Sequence, residues 1–205
     1  MPRPLLSSAL LATALFTSAL AAAPVRAAET GTAIFAGGCF WCVESDFDHV
    51  KGVTETISGY IGGKGDNPTY KSHVANGDRE AVEIKYDPAV VSYAELLKTF
   101  FRTINPTDDG GQFCDRGHSY TTAVYTLDDE QAALAEAAKA EAEKVLGKPV
   151  VTEIEPPAKF WPAEEYHQDF YTKSPVRYNY YRRACGRDQD VRALWGDQAH
   201  LGVEK

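Results

Sequence analysis

Beyond residue 27 this 205-residue chain lacks any apolar run long enough to cross a membrane, so the segment that follows is expected to be a soluble domain. It also lacks a basic excess. Lys and Arg number 21 against 29 Asp and Glu, a formal charge of −8. That balance speaks against nucleic acid or an anionic membrane surface as a partner, because both are bound chiefly by positive charge. There is no internal repeat, and apart from one Ala-rich stretch no low-complexity segment, which excludes repeat arrays and long linkers. Cysteines are few: Cys39, Cys42, Cys114 and Cys185. An even count suggests two structural bridges in an oxidising compartment. A Cys-x-x-Cys pair, however, more often performs redox or metal chemistry than stapling.

Residues 1–27 have the form of a secretory signal. Arg3 is followed by an uncharged run from Leu5 to Ala23, and Val25-Arg26-Ala27 places small residues where cleavage requires them. Removing this segment takes away Arg3 and Arg26 and no acid, which carries the charge to −10. The expectation is an exported protein, periplasmic or secreted, with one domain over residues 28–205 and a core over 32–171.

The most informative stretch is Gly37-Gly38-Cys39-Phe40-Trp41-Cys42-Val43-Glu44. The apolar run Ala33–Ala36 before it reads as a buried strand. Phe40, Val43 and Phe47 after it recur at helical spacing. Cys39 therefore stands where a strand ends and a helix begins. Free N–H groups and partial positive charge at a helix start favour a thiolate, which is the nucleophilic form of cysteine. Phe40 and Trp41 give that sulfur an apolar wall.

Further along, 53–60, 80–86 and 120–126 alternate as strands, and 150–154 reads as another. Ser92 and Glu95 form a capping box ahead of Leu96, Leu97, Phe100 and Phe101. Asp128 caps a long helix that Gly147 stops. Residues 105–119 form a long aperiodic loop, a feature often functional. Phe160-Trp161-Pro162 precedes a short helix expected at 163–171, and the tail 172–205 shows no period and is expected to be irregular. The order of elements implies an α+β fold with a ferredoxin-like β-α-β-β-α-β core, a two-layer sandwich with an extra strand and helix.

Several motifs resemble the peptide methionine sulfoxide reductase A family. They are Gly38-Cys39-Phe40-Trp41-Cys42-Val43-Glu44, Ser58-Gly59-Tyr60-Ile61-Gly62-Gly63, Asn67-Pro68-Thr69-Tyr70, Glu80-Ala81-Val82, Cys114-Asp115-Arg116-Gly117 and the run from Phe160 to Gln168. They occur in the family's order. The resemblance implies thiol-dependent reduction of methionine-S-sulfoxide, free or in proteins, with no bound cofactor and no metal. It implies Cys39 as the nucleophile that becomes a sulfenic acid, and Glu80 as the acid. Tyr70 and Tyr120 would polarise the sulfoxide oxygen, Asp115 would lie near the substrate, and Phe40 and Trp41 would receive its methyl group. Glu44 is read as favouring the first helical turn, and His118 and His167 as structural.

Regeneration has three candidate resolving thiols: Cys42, one helical turn from Cys39, then Cys185 in the tail, then Cys114 beside Asp115. The resulting disulfide would pass to a thioredoxin-like protein or another dithiol by exchange. A monomer is the simplest expectation. Two other classes compete. A thioredoxin-type thiol–disulfide oxidoreductase would share the Cys-x-x-Cys but would not need Tyr70, Glu80 and Tyr120. A non-catalytic exported domain held by zinc or disulfides would use all four cysteines as ligands or staples.

Overall fold

A computed structural model describes residue 1 and residues 30–204. The expected signal segment, 1–27, lies outside the described residues apart from Met1. Among the described residues no helix is long and apolar enough to span a membrane.

In chain order the elements are β1 (Gly31–Gly37), α1 (Phe40–Phe47), β2 (Val53–Ile61), α2 (His73–Asn76), β3 (Arg79–Tyr86), α3 (Tyr93–Arg102), β4 (Gly111–Gln112), β5 (Asp115–Arg116), β6 (Thr122–Tyr125), α4 (Asp129–Leu146), β7 (Glu153–Glu155), β8 (Phe160–Pro162), α5 (Phe170–Lys173), α6 (Pro175–Ala184) and α7 (Arg187–Trp195). The large sheet runs β7-β6-β1-β3-β2-β8. Its inner four strands are antiparallel to one another. With α1 and α3 as crossovers, they form the expected ferredoxin-like unit. β7 is added in parallel to one edge and β8 antiparallel to the other.

β1 is central and covered on both faces, which explains its unbroken apolar run. Ala33 and Phe35 join the main core with Val82, Ile84, Val124, Phe47, Leu96 and Phe100. Ile34 and Ala36 turn to a smaller cluster with Ala81, Ala123 and Tyr125. The caps read from the sequence are present: Ser92 and Glu95 form a reciprocal box, and Asp128 accepts from the Gln131 N–H.

Two segments differ from expectation. Phe160-Trp161-Pro162 is an edge strand on β2, and the helix expected at 163–171 is reduced to turns and the four residues of α5. The cause is Gln168. Its side-chain amide accepts from the Ser58 N–H and donates to the Ser58 and Ala163 carbonyls, occupying the edge of β2 as a strand would. Asp169 then takes a left-handed backbone, φ 52°, which breaks helical continuity. The tail, expected to be irregular, holds α6 and α7. α6 begins with Pro175 at a position where proline suits a helix start. Polar anchors hold both helices to the core. Arg182 pairs with Asp46 and Asp188, and buried Arg187 donates to the Gly37 carbonyl at 3.1 Å. Tyr178 of α6 and Val191, Leu194 and Trp195 of α7 add apolar contacts to these anchors.

Candidate active site

Gly38 sets the turn between β1 and α1. Its φ is +84°, and a Cβ there would lie 2.6 Å from Cβ of Gln112. Any side chain at 38 would meet a left-handed backbone costing about 1–2 kcal/mol and displace the loop that carries Cys114 and Asp115. Cys39 follows as the N-cap of α1 and is only 6% exposed.

The first N–H of α1 is not directed at the Cys39 sulfur. Phe40 N–H donates to Glu80 Oε2 at 3.0 Å. Glu80 reaches that point from β3, opposite Tyr60 on β2. Burial pushes its carboxyl up to about 8, against the opposing hydrogen bond from Phe40 and with help from the negative charge of Asp115. At neutral pH Glu80 thus holds a proton to give.

Burial also dominates at Cys39 and pushes its thiol up. The hydrogen bond with Cys42 and the charges of Cys42 and Glu80 act the same way, and the Tyr181 hydroxyl opposes them. Cys42 is shifted down, first by its hydrogen bond with Cys39, then, against burial, by Arg187 and Arg182. This departs from the expectation of an acidic Cys39 at a helix start. The two sulfurs form one hydrogen-bonded pair whose negative charge is better supported at Cys42.

Around this pair lies a cavity of about 50 Å³ lined by Cys39, Phe40, Trp41, Tyr70, Glu80, Asp115, Tyr120 and Tyr181. Seven of these eight come from the sequence reading. The elements that bring them are α1, the turn before α2, β3, β5 and the 3-10 turn 118–120. Trp41 is fixed from two sides. Its indole N–H donates to His167 Nδ1 at 3.1 Å, and its ring stacks on Phe170 with centroids 3.8 Å apart. The Phe40 ring leans on His167 at 4.9 Å. Glu164 accepts from the Tyr60 hydroxyl and the Tyr70 N–H, and so holds the Tyr70 turn to β2.

Tyr181 is the residue that sequence reasoning missed. It comes from α6, its hydroxyl donates to Asp115 Oδ2, and its ring meets Trp41 edge-on at 5.9 Å. Four residues later on that helix stands Cys185. A tyrosine one turn ahead of a candidate cysteine was the available signal. Glu44 does not sit in the first turn of α1. It is the fifth helical residue, fully buried, and burial raises its carboxyl to about 7. His118 is exposed on the 3-10 turn and is absent from the cavity lining.

The remaining two cysteines are joined. Cys114, at the turn between β4 and β5, forms a disulfide with Cys185, across a sequence separation of 71. Cys114 is exposed and Cys185 half-buried, whereas the free thiols of Cys39 and Cys42 are both buried. A four-thiolate zinc site would need Cys114 and Cys185 as thiolates, and here each is bonded to the other.

The arrangement pairs a sulfur nucleophile with a neighbouring thiol, a protonated carboxyl, two phenols and an aromatic wall. It can accept an S-methyl group, protonate an oxygen bound to sulfur, and close a disulfide.

Comparison with known proteins points the same way. A sequence model of the peptide methionine sulfoxide reductase family matches residues 31–199. Peptide methionine sulfoxide reductase MsrA 2 of Rhizobium meliloti is 61% identical over 180 residues, covering 88% of this chain and 91% of its own. Methionine sulfoxide reductase A of Corynebacterium diphtheriae superposes with a TM-score of 0.64 at 29% identity, covering 72% of this chain and 76% of that one. Reduced Mxr1 of Saccharomyces cerevisiae superposes with a TM-score of 0.68 at 26% identity, covering 74% and 89%. Mxr1 is also described in complex with Trx2, a likeness at 22% identity and a TM-score of 0.52 that covers 71% and 87% and bears on fold alone.

Proposed function

Since the chain belongs to the peptide methionine sulfoxide reductase family, we propose that the Cys39 cavity is where its reaction, reduction of methionine sulfoxide to methionine by thiols, takes place. The observation that carries this reading is the buried Glu80 carboxyl, held by the Phe40 N–H in one cavity with Cys39 and next to its buried thiol partner Cys42.

In this mechanism Phe40 and Trp41 receive the S-methyl group, and the hydroxyls of Tyr70 and Tyr120 polarise the sulfoxide oxygen. The Cys39 sulfur attacks the substrate sulfur while Glu80 protonates the oxygen. The sulfur–sulfur bond then breaks as the hydroxyl passes from the substrate sulfur to Cys39, so that methionine leaves, Cys39 becomes a sulfenic acid, and the thiol proton restores Glu80. Cys42 then displaces water from Cys39 to form a disulfide. Asp115, tied to Tyr181, shapes the outer wall of the cavity.

Regeneration needs two electrons from outside. Buried Cys39 and Cys42 are poorly placed for a protein partner, whereas the Cys114–Cys185 pair is at the surface. We assign to that pair the exchange with a thioredoxin-like reductant and transfer of reducing equivalents inward to Cys39–Cys42. The Mxr1–Trx2 complex supplies a precedent for a thioredoxin partner in a relative. The signal-like residues 1–27 and a surface disulfide support an exported enzyme, whose reductant would then be an exported dithiol protein.

The test counts methionine. Fully reduced enzyme, mixed with racemic N-acetyl-methionine sulfoxide and no reductant, should form two equivalents of product from the S epimer. Enzyme with Cys114–Cys185 intact should form one, and mass mapping should then show a Cys39–Cys42 bridge. One equivalent from both forms would remove the surface pair from the electron path. A first bridge from Cys39 to Cys114 or Cys185 would remove Cys42 as the resolving thiol.

A further inference from the structure

His73 is buried, 1% exposed, and has no part in the chemistry above. It opens α2, three residues after Tyr70, and its ring stacks on Tyr60 with centroids 4.9 Å apart. Its Nδ1 lies 2.9 Å from the Tyr70 carbonyl oxygen. A carbonyl only accepts, so Nδ1 carries the proton. The other nitrogen, Nε2, is buried without a hydrogen-bond partner. It points at Glu80 Oε1 across 3.8 Å.

Glu80 has a matching need. Its Oε2 is engaged by the Phe40 N–H, so a proton on the carboxyl is best carried by Oε1. A protonated Oε1 and a bare Nε2 are a donor and an acceptor facing one another in a water-poor site. Leaving both unpaired would cost a buried polar penalty that one hydrogen bond removes. The gap of 3.8 Å exceeds a hydrogen bond by less than an ångström, a distance that a small tilt of either side chain closes.

We propose that His73 is a positioning residue for Glu80: Nε2 accepts the proton on Oε1 and holds the carboxyl in its acid form between turnovers. The hydrogen bond from Nδ1 to Tyr70 makes the same ring fix the turn that carries a second cavity residue. The groups that bear on Glu80 are Cys39 and Cys42 from α1, Tyr60 from β2, Tyr70, Asp115 from β5 and Tyr120. His73 also faces His167, whose ring it disfavours in the charged form. The phenol oxygens of Tyr60, Tyr70 and Tyr120 are also uncharged acceptors, but Nε2 is the buried acceptor that faces Oε1 without a partner of its own.

This inference rests on Glu80 as the acid, and the experiment separates the two. His73→Asn keeps a donor where Nδ1 stands and removes the acceptor. His73→Gln places an amide oxygen near Nε2. His73→Asn should lower kcat only about twofold at pH 7 and about tenfold at pH 9, as expected if one buried hydrogen bond that favours the acid form is lost, with KM little changed. Its alkaline limb should move to lower pH by about one unit. His73→Gln should recover part of both effects. In the Glu80→Gln background His73→Asn should add no further loss, because its effect passes through Glu80. Difference infrared spectroscopy on substrate-free enzyme should find the Glu80 carboxylic-acid band lost at lower pH in His73→Asn. An unmoved band and limb, or full additivity with Glu80→Gln, would overturn the role of His73. Wild-type kcat in Glu80→Gln would instead overturn Glu80 as the acid.

Discussion

Cys39→Ser should form no methionine above the uncatalysed background in either single or multiple turnover. A serine hydroxyl at this position can neither attack the sulfoxide sulfur nor carry the oxygen away as a sulfenic acid, so the loss is complete in kind. The fold should survive. Serine is nearly isosteric with cysteine, and the N-cap position it would occupy favours a hydroxyl. Circular dichroism and chromatographic assay of N-acetyl-methionine on the same sample make the test, and turnover by that variant would sink the mechanism. Cys42→Ser makes the complementary case. Its first turnover should run and then stop, leaving a Cys39 sulfenic acid that a dimedone-type reagent can trap.

Glu80→Gln should lower kcat by about 10²–10⁴-fold, the usual range for a lost general acid. An amide oxygen can still accept from Phe40 N–H, so the α1 start is retained. The pH dependence follows from the direction of the shift. Burial raises Glu80 from the usual 4.5 to about 8, and the protonated form is the active one. Wild-type kcat should therefore hold across neutral pH and fall as pH rises through about 8. That limb should vanish in Glu80→Gln, which has no proton to lose there. Measuring kcat at saturating substrate from pH 6 to 10 checks both statements. An unchanged limb in the variant would assign it to another group, the Cys39–Cys42 pair being the nearest.

The sheet and the site were legible in different ways. β1 was readable because a central strand has no polar face, and α3 because Ser92 and Glu95 satisfy its first N–H groups. The cavity was readable because Cys39, Phe40 and Trp41 are adjacent in sequence and the family motifs carry Tyr70, Glu80, Asp115 and Tyr120. What escaped depends on contacts that no local pattern encodes. Gln168 imitates a strand with a side chain. α6 and α7 dock through Arg182 and Arg187 together with a short apolar set, Tyr178 on α6 and Val191, Leu194 and Trp195 on α7, too sparse among charged residues to stand out as a period, and Tyr181 travels with them. The protonation of Cys39 escaped for a related reason: a helix start alone argues for a thiolate, and only the packed structure shows that desolvation outweighs it.

The Cys114–Cys185 bridge has a consequence for the unfolded chain. A link across 71 residues removes loop-closure entropy worth about 4 kcal/mol in the chain-entropy account. For a domain of this size that is a melting-temperature difference on the order of ten degrees. The oxidised and reduced enzymes are thus two proteins of unequal thermal endurance. A dithiol reagent that drives catalysis in the test tube also consumes part of the stability of the catalyst, and an assay run warm enough will report the second effect as a loss of the first.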